Sequence, residues 1–204
     1  NRFFWLTHLA TVYQETGDES LPEIARSTIE DWIDQHDYSA DQPPAKGDNT
    51  LNISIRLGQG TQPGWWGTVR DLARSPHYDE ALLQRMLDST RGQLECLQAH
   101  LAAAGNWRIS HLDCLLFCGM VVPGLEKFAD FSVRHLNEAF YRQIHPDGSH
   151  EEHNPSYHSW MCRLYTRLWR LSRARPELGL SIDTTRAARM WDYLVCSSAP
   201  DGGA

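Results

Sequence analysis

Apolar residues recur along most of the chain at the spacing of an α-helix. Leu21, Ile24, Ala25, Thr28, Ile29, Trp32 and Ile33 fall at i, i+3, i+4, i+7, i+8, i+11 and i+12, one stripe of a helical surface. The opening segment repeats the spacing with Phe4, Trp5, His8, Leu9 and Val12. Between the two, Thr16-Gly17-Asp18-Glu19 reads as a stop and a short turn, so an antiparallel helical hairpin is expected. Leu51 to Leu57 predicts a short helix. Leu83, Met86, Leu87, Thr90, Leu94, Leu97 and Leu101 predict a long one closed near Gly105. Ile109, Leu112, Leu116 and Met120 predict the next, ended by Pro123-Gly124, and Leu125 to Ile144 carries another. The clearest stripe is Tyr157, Trp160, Met161, Leu164, Tyr165, Leu168 and Trp169, opened by Asn154 as N-cap and Pro155 at the first helical position. A last helix is expected from Thr185 to Val195, and no segment alternates as a strand.

Two stretches break this pattern. Asp37 to Asn49 is rich in Ser, Asp, Gln and Pro and reads as a loop. Gly58 to Gly67 carries four glycines and Pro63 around Trp65-Trp66, which predicts a flexible surface loop. Tandem tryptophans exposed there would offer a sugar platform, although packing against the body is the commoner use of such a pair. The eight or so helices, consecutive ones antiparallel, leave an all-α bundle or an α/α toroid, which periodicity alone does not separate.

Composition narrows the partners. The chain has 204 residues, 41% hydrophobic and 22% charged, an ordinary globular balance. Nineteen Lys and Arg against 26 Asp and Glu give a net charge of -7, which argues against a broad nucleic-acid face. No apolar run reaches the roughly 20 residues that a bilayer span needs. The first residues do not read as a signal peptide, and a start on Asn1 is expected of a processed or trimmed chain. Five cysteines without a CxxC pair are expected to be reduced, mostly buried thiols. Eight Trp, seven Tyr, six Phe and ten His make a set of residues that also lines carbohydrate clefts.

Polar chemistry concentrates in two places, Gly105-Asn106-Trp107-Arg108 and the stretch from Asp147 to His158, each leading into a helix. His150, His153, His158 and Glu152 could ligate a metal, but an HxxH on a loop imposes no geometry, and Asn154 stands where HExxH needs its second His. Asp147, Glu151 and Glu152 are candidate glycosidase carboxyls. All three come from one short loop, which opposes placement across a bond. Asp147-Gly148 is in addition an ordinary turn dipeptide. An amide and a phenol, Asn106 and Tyr157, suit a third chemistry, β-elimination from a uronic acid. There an amide can stabilise the charge developing on the carboxylate, and a phenol can move protons. Taken singly, Asn106 could equally cap a helix and Tyr157 could equally pack in a core.

Asn106-Trp107 after a long helix, then Pro123-Gly124-Leu125-Glu126, then DGSHEEHNPSYH, resembles the heparinase II/III-like polysaccharide lyases. The opening FFWLTHLATVYQETGDE and IEDWI resemble the early hairpin of their N-terminal toroid, so the likeness covers about Phe3 to Trp169. The resemblance implies one α/α-toroid domain over residues 1–204, an incomplete ring of antiparallel hairpins. It also implies a C-terminal β-sandwich domain that this stretch lacks. Ending in Ser198–Ala204, all turn-forming residues, fits a chain that continues. The implied activity is elimination on an acidic polysaccharide or oligosaccharide, with no cofactor, in a periplasmic or secreted protein. Asn106 would neutralise the uronate carboxylate and Tyr157 would act as acid and base. Arg56, Trp107, Glu152 and His158 are expected to bind substrate or shape the site, with Arg56 facing the cleft. Trp107 departs from relatives that have His there, which opens a non-catalytic glycan-binding module as the alternative. A hydrolase using Asp147 or Glu152 is a third reading. The toroid alone would be inactive if a catalytic His comes from beyond it.

Overall fold

The computed structural model describes residues 2–44, 47–60 and 62–198. The described residues form nine α-helices: α1 (Trp5–Thr16), α2 (Ser20–Gln35), α3 (Thr50–Leu57), α4 (Gly64–Leu72), α5 (Glu80–Ala99), α6 (Gly105–Val121), α7 (Glu126–Gln143), α8 (Pro155–Ala174) and α9 (Thr184–Ser197). Among the described residues no strand occurs, only two isolated bridges, Gln59 with Gln62 and Ile144 with His150. The helices pack as successive hairpins in an all-α toroid. Side-chain caps start several of them, with Asn49, Asp79, Asn154 and Asp183 each accepting a backbone N–H of the first turn. Gly17 closes α1 in the left-handed conformation, as its place in the turn requires.

Helix α6 is the hub. It packs on α7, α3 and α5. Ile109 through Leu116 are buried without interruption, so two turns of α6 have no solvent face. That explains why its apolar spacing looks weakly one-sided: a helix enclosed all round needs no polar stripe. Large buried side chains such as Trp65, Phe128, Phe140 and Leu112 each contribute roughly 1.5–3 kcal/mol by leaving water.

Two sequence expectations change. In α1 the buried residues are Leu6, Ala10 and Tyr13, whereas Phe4, Trp5 and Val12 are exposed. With apolar residues on both sides of that helix, periodicity alone could not choose the inward face. The glycine-rich stretch is also not slack, because it leads into α4. Trp65 is fully buried, and the Trp66 indole N–H donates to Thr90 Oγ1 at 2.8 Å. The pair therefore packs and offers no sugar platform. Its glycines serve close approach: a Cβ at Gly58 would strike the Pro63 carbonyl and the Phe117 ring, and one at Gly60 would strike the Arg167 guanidinium.

Cys96, Cys114, Cys118 and Cys162 are free and buried and Cys196 is exposed, in keeping with small hydrophobic use. No helix among the described residues is long and apolar enough to cross a membrane.

Candidate functional site

A cleft of about 240 Å³ opens between α3, α6 and α8. Helical spacing places its walls. Asn106 and Ser110 are one turn apart on α6, Tyr157 and Trp160 on α8, and Leu51 and Ile55 on α3, with Gln59 and Gln62 from the connecting loop. The two residues singled out in sequence, Asn106 and Tyr157, thus line one opening, Asn106 half-buried and Tyr157 exposed. None of the described residues lining this cleft is a carboxylate, and Tyr157 is the titratable one. The floor is polar: Gln59 Nε2 donates to Ser110 Oγ at 2.5 Å and to Ser54 Oγ at 3.1 Å. Ser54 spends its own hydroxyl proton on the Leu51 carbonyl at 2.9 Å. Trp160 and Ile55 supply an apolar wall. An apolar wall over a polar floor suits the face and the hydroxyls of a sugar ring.

The loop ahead of α8 lies outside the cleft lining and braces Asn106 from behind. Ile144 pairs with His150, His145 N–H donates to the Ser149 carbonyl, and Glu151 N–H donates to the Gln143 carbonyl, closing a tight turn around Gly148. Asp147 is spent inside that turn, accepting from the Ser149 N–H at 2.9 Å and its hydroxyl at 2.8 Å, and these bonds hold its carboxyl below the usual range. His153 then adopts a left-handed φ of 49° before Asn154 caps α8. The turn delivers two carboxylates to the N-terminus of α6, where helix N–H groups favour negative charge. Gly105 N–H donates to Glu151 Oε1 at 2.7 Å. Asn106 Nδ2 donates to Glu152 Oε1 at 3.0 Å and Oε2 at 2.8 Å, and its backbone N–H reaches Oε2 at 3.3 Å. Gly105 has φ +73°, and a Cβ there would stand 2.7 Å from Glu152 Oε1, so the seat of Glu152 depends on glycine.

The remaining predicted residues sit elsewhere. Arg56 does not face the cleft but is fully buried. Its Nη2 pairs with Asp48 at 3.1 Å, its Nε donates to Gln93 Oε1 at 2.9 Å, and its guanidinium stacks 3.9 Å from the Trp32 ring centre. Its position on the inner side of α3 turns it into the core, where Asp48 compensates the charge. His158 is sealed under α9, with Nε2 donating to the Met190 carbonyl at 2.8 Å. Trp107 is 41% exposed, lies outside the residues lining the cleft, and sets its ring edge-on to His111. Glu152 is held by Asn106, as above. His150 and His158, weighed as metal ligands, are both buried and engage different partners, Gln143 and Met190. Ser110, Gln59, Trp160 and Ile55 were missed in sequence. The signal for the helical ones is plain in retrospect: Ser110 lies one turn beyond Asn106 and Trp160 one turn beyond Tyr157.

His111, the next turn of α6, carries a pH prediction. Its Nδ1 accepts the Ala102 N–H at 3.2 Å, tying the preceding loop to the helix. Burial, with a smaller push from the Arg108 charge, lowers the imidazole to about 4. The unfolded imidazole binds its proton near pH 6.5 while the folded one refuses it until about pH 4, so protons favour unfolding across that interval. Stability is therefore full above pH 6.5 and falls as pH drops, by about 3 kcal/mol from this group at pH 4. Urea unfolding at pH 7 and pH 4.5 checks this, with wild type losing clearly more than His111→Asn. Equal losses in the two proteins contradict the assignment.

Residues 1–201 match the family model described as Heparinase II/III N-terminus. The chain belongs to this family. Its fold matches heparan sulfate lyase HepC from Pedobacter heparinus with a TM-score of 0.72 at 22% identity, over 97% of this chain and 31% of that one. It matches the crystal structure of heparinase III with a TM-score of 0.76 at 20% identity, over 98% of this chain and 30% of that one. At these identities the structural likeness speaks for the toroid fold, and the chain spans about a third of the length of either relative. No curated protein matches the sequence significantly.

Proposed function

We propose that this chain is the toroid part of a polysaccharide lyase that cleaves a uronic-acid-containing glycan by β-elimination. The observation that carries the reading is the meeting of Asn106 and Tyr157, far apart in sequence, in one open cleft without a carboxylate lining it. Elimination needs a donor for the uronate carboxylate, a base for the C5 proton and an acid for the leaving oxygen. The Asn106 amide supplies the first by hydrogen-bonding the carboxylate as negative charge builds on it. The Tyr157 phenol supplies proton transfer. Family membership and likeness to enzymes described as a heparan sulfate lyase and a heparinase III support an acidic polysaccharide as substrate. In this reading a β-sandwich domain follows the toroid and closes the other side of the cleft, and the protein works in the periplasm or outside the cell.

Retaining or inverting hydrolysis fits poorly. It needs two carboxyls across the bond, whereas Asp147 is committed to Ser149 and Glu152 to Asn106. A non-catalytic glycan-binding module is the second reading, favoured by Trp107 in the place where the resemblance leads one to expect a His in many lyases of the group. The full-length protein incubated with a panel of uronic-acid polymers tests all three. Elimination yields unsaturated ends absorbing in the near ultraviolet. Hydrolysis yields saturated ends, and a binding module retains the polymer without new ends.

A further inference from the structure

We propose that Glu152 is a positioning residue that sets which edge of the Asn106 amide is presented for the substrate carboxylate. The inference rests on the lyase reading and adds a role that the expected substrate contact did not include. A carboxylate offers only acceptors, so the amide edge facing Glu152 must be the NH₂ group. Both Glu152 oxygens lie within 3.0 Å of the single atom Nδ2. The two oxygens of one carboxylate subtend a narrower angle at that nitrogen than its two N–H bonds diverge by. One N–H is therefore shared between them, and the second stays uncommitted in a residue that lines the cleft.

Turned over, the same amide would set Oδ1 against Glu152 and present a carbonyl in place of its donor, repelling a substrate carboxylate. Glu152 makes that orientation costly. Glu152 is itself fixed from three sides. The Asn106 backbone N–H holds Oε2, its own N–H donates to His150 Nδ1 at 3.3 Å, and Gly105 leaves the space in which it lies. The device is built from the turn between α7 and α8, which explains why two adjacent glutamates follow Ser149-His150 there. Glu151 takes the Gly105 N–H and Glu152 takes the amide.

The test is a set of variants in the full-length protein. Glu152→Ala is expected to lower kcat about 100-fold, and Glu152→Gln about tenfold, because a glutamine accepts from Nδ2 but can also donate to Oδ1. KM should move by less than about threefold in both, since the amide acts mainly on charge that develops in the transition state. In an Asn106→Ala background, Glu152→Ala should cost nothing further. Glu151→Gln removes the same charge from the same helix end without touching the amide, so it controls for charge and stability, and its loss in kcat should be smaller than that of Glu152→Gln. Wild-type kcat in Glu152→Ala, or an undiminished loss in the Asn106→Ala background, overturns the proposal. A readout independent of turnover is the pair of Asn106 side-chain amide resonances in this chain. The shared proton should lie downfield of its partner in wild type and lose that offset in Glu152→Ala. If no uronic-acid polymer is cleaved, the lyase reading fails, and an unchanged amide pair would still separately refute the role of Glu152.

Discussion

Tyr157→Phe in the full-length protein is expected to reduce elimination at least 100-fold while leaving the fold intact. The substitution removes one oxygen from a side chain that is 48% exposed, so neither packing nor a buried hydrogen bond is lost. What disappears is the titratable group lining the cleft, and general acid–base groups typically contribute about 10²–10⁴ in rate. Asn106→Ala should lose about 10²–10³ in kcat, the usual cost of removing one donor from developing negative charge. Its price in stability is small, about 1 kcal/mol, because the Glu152 contact is exposed. Initial rates of chromophore formation together with thermal melts check both. Full activity in either variant excludes the role assigned to it.

Arg56→Ala carries the largest expected loss of stability. Removing the guanidinium leaves Asp48 buried without its counter-charge, and breaking such a pair from one side costs about 3–5 kcal/mol. The stack on Trp32 and the bond to Gln93 go with it. In a domain of this size the melting temperature should fall by about 10 °C. Arg56→Lys is not a rescue, since an ammonium cannot stack and donate to Gln93 and Asp48 together. Burial alone would push the Asp48 carboxyl up, but the Arg56 charge and hydrogen bonds from Tyr38, Asn52 and Asn49 outweigh it and hold the carboxyl below its ordinary value. The pair's contribution is thus complete above the usual aspartate range and is lost as pH falls through the lower folded value. Were Arg56→Ala to unfold within 1 kcal/mol of wild type, the ion pair would be irrelevant to stability, contrary to its full burial.

Arg56 also shows where sequence reading reached its limit. A charged residue in an apolar helix invites a functional reading, and nothing local announces that Asp48, at the end of a loop rich in polar residues, turns inside to neutralise it. The helices themselves were legible because most bury one face, and the caps at Asn154 and Gly17 marked boundaries that the structure keeps to within a residue or two. Helix α4 was not legible. The glycines that lead into it and open it look like slack, yet Gly60 permits a contact with Arg167, Gly64 with Gly58 and Gly67 with Pro63 that only the folded chain reveals. His158 misled for a related reason: it shares a motif with Tyr157, but one residue further along a helix points in another direction, here toward Met190. Asn106 and Tyr157 were legible as a pair only through the family likeness, since each had an adequate structural use on its own. Glu152 was named from its place in the motif, and its hold on the amide needed coordinates.

The most direct measurement compares a native uronic-acid polymer with the same polymer whose carboxylates have been reduced to primary alcohols. Elimination requires the carboxylate, both to acidify the C5 proton and to meet Asn106. The account predicts near-ultraviolet product from the native polymer and no cleavage of the reduced one. Cleavage of both at similar rates, leaving saturated ends, would contradict it.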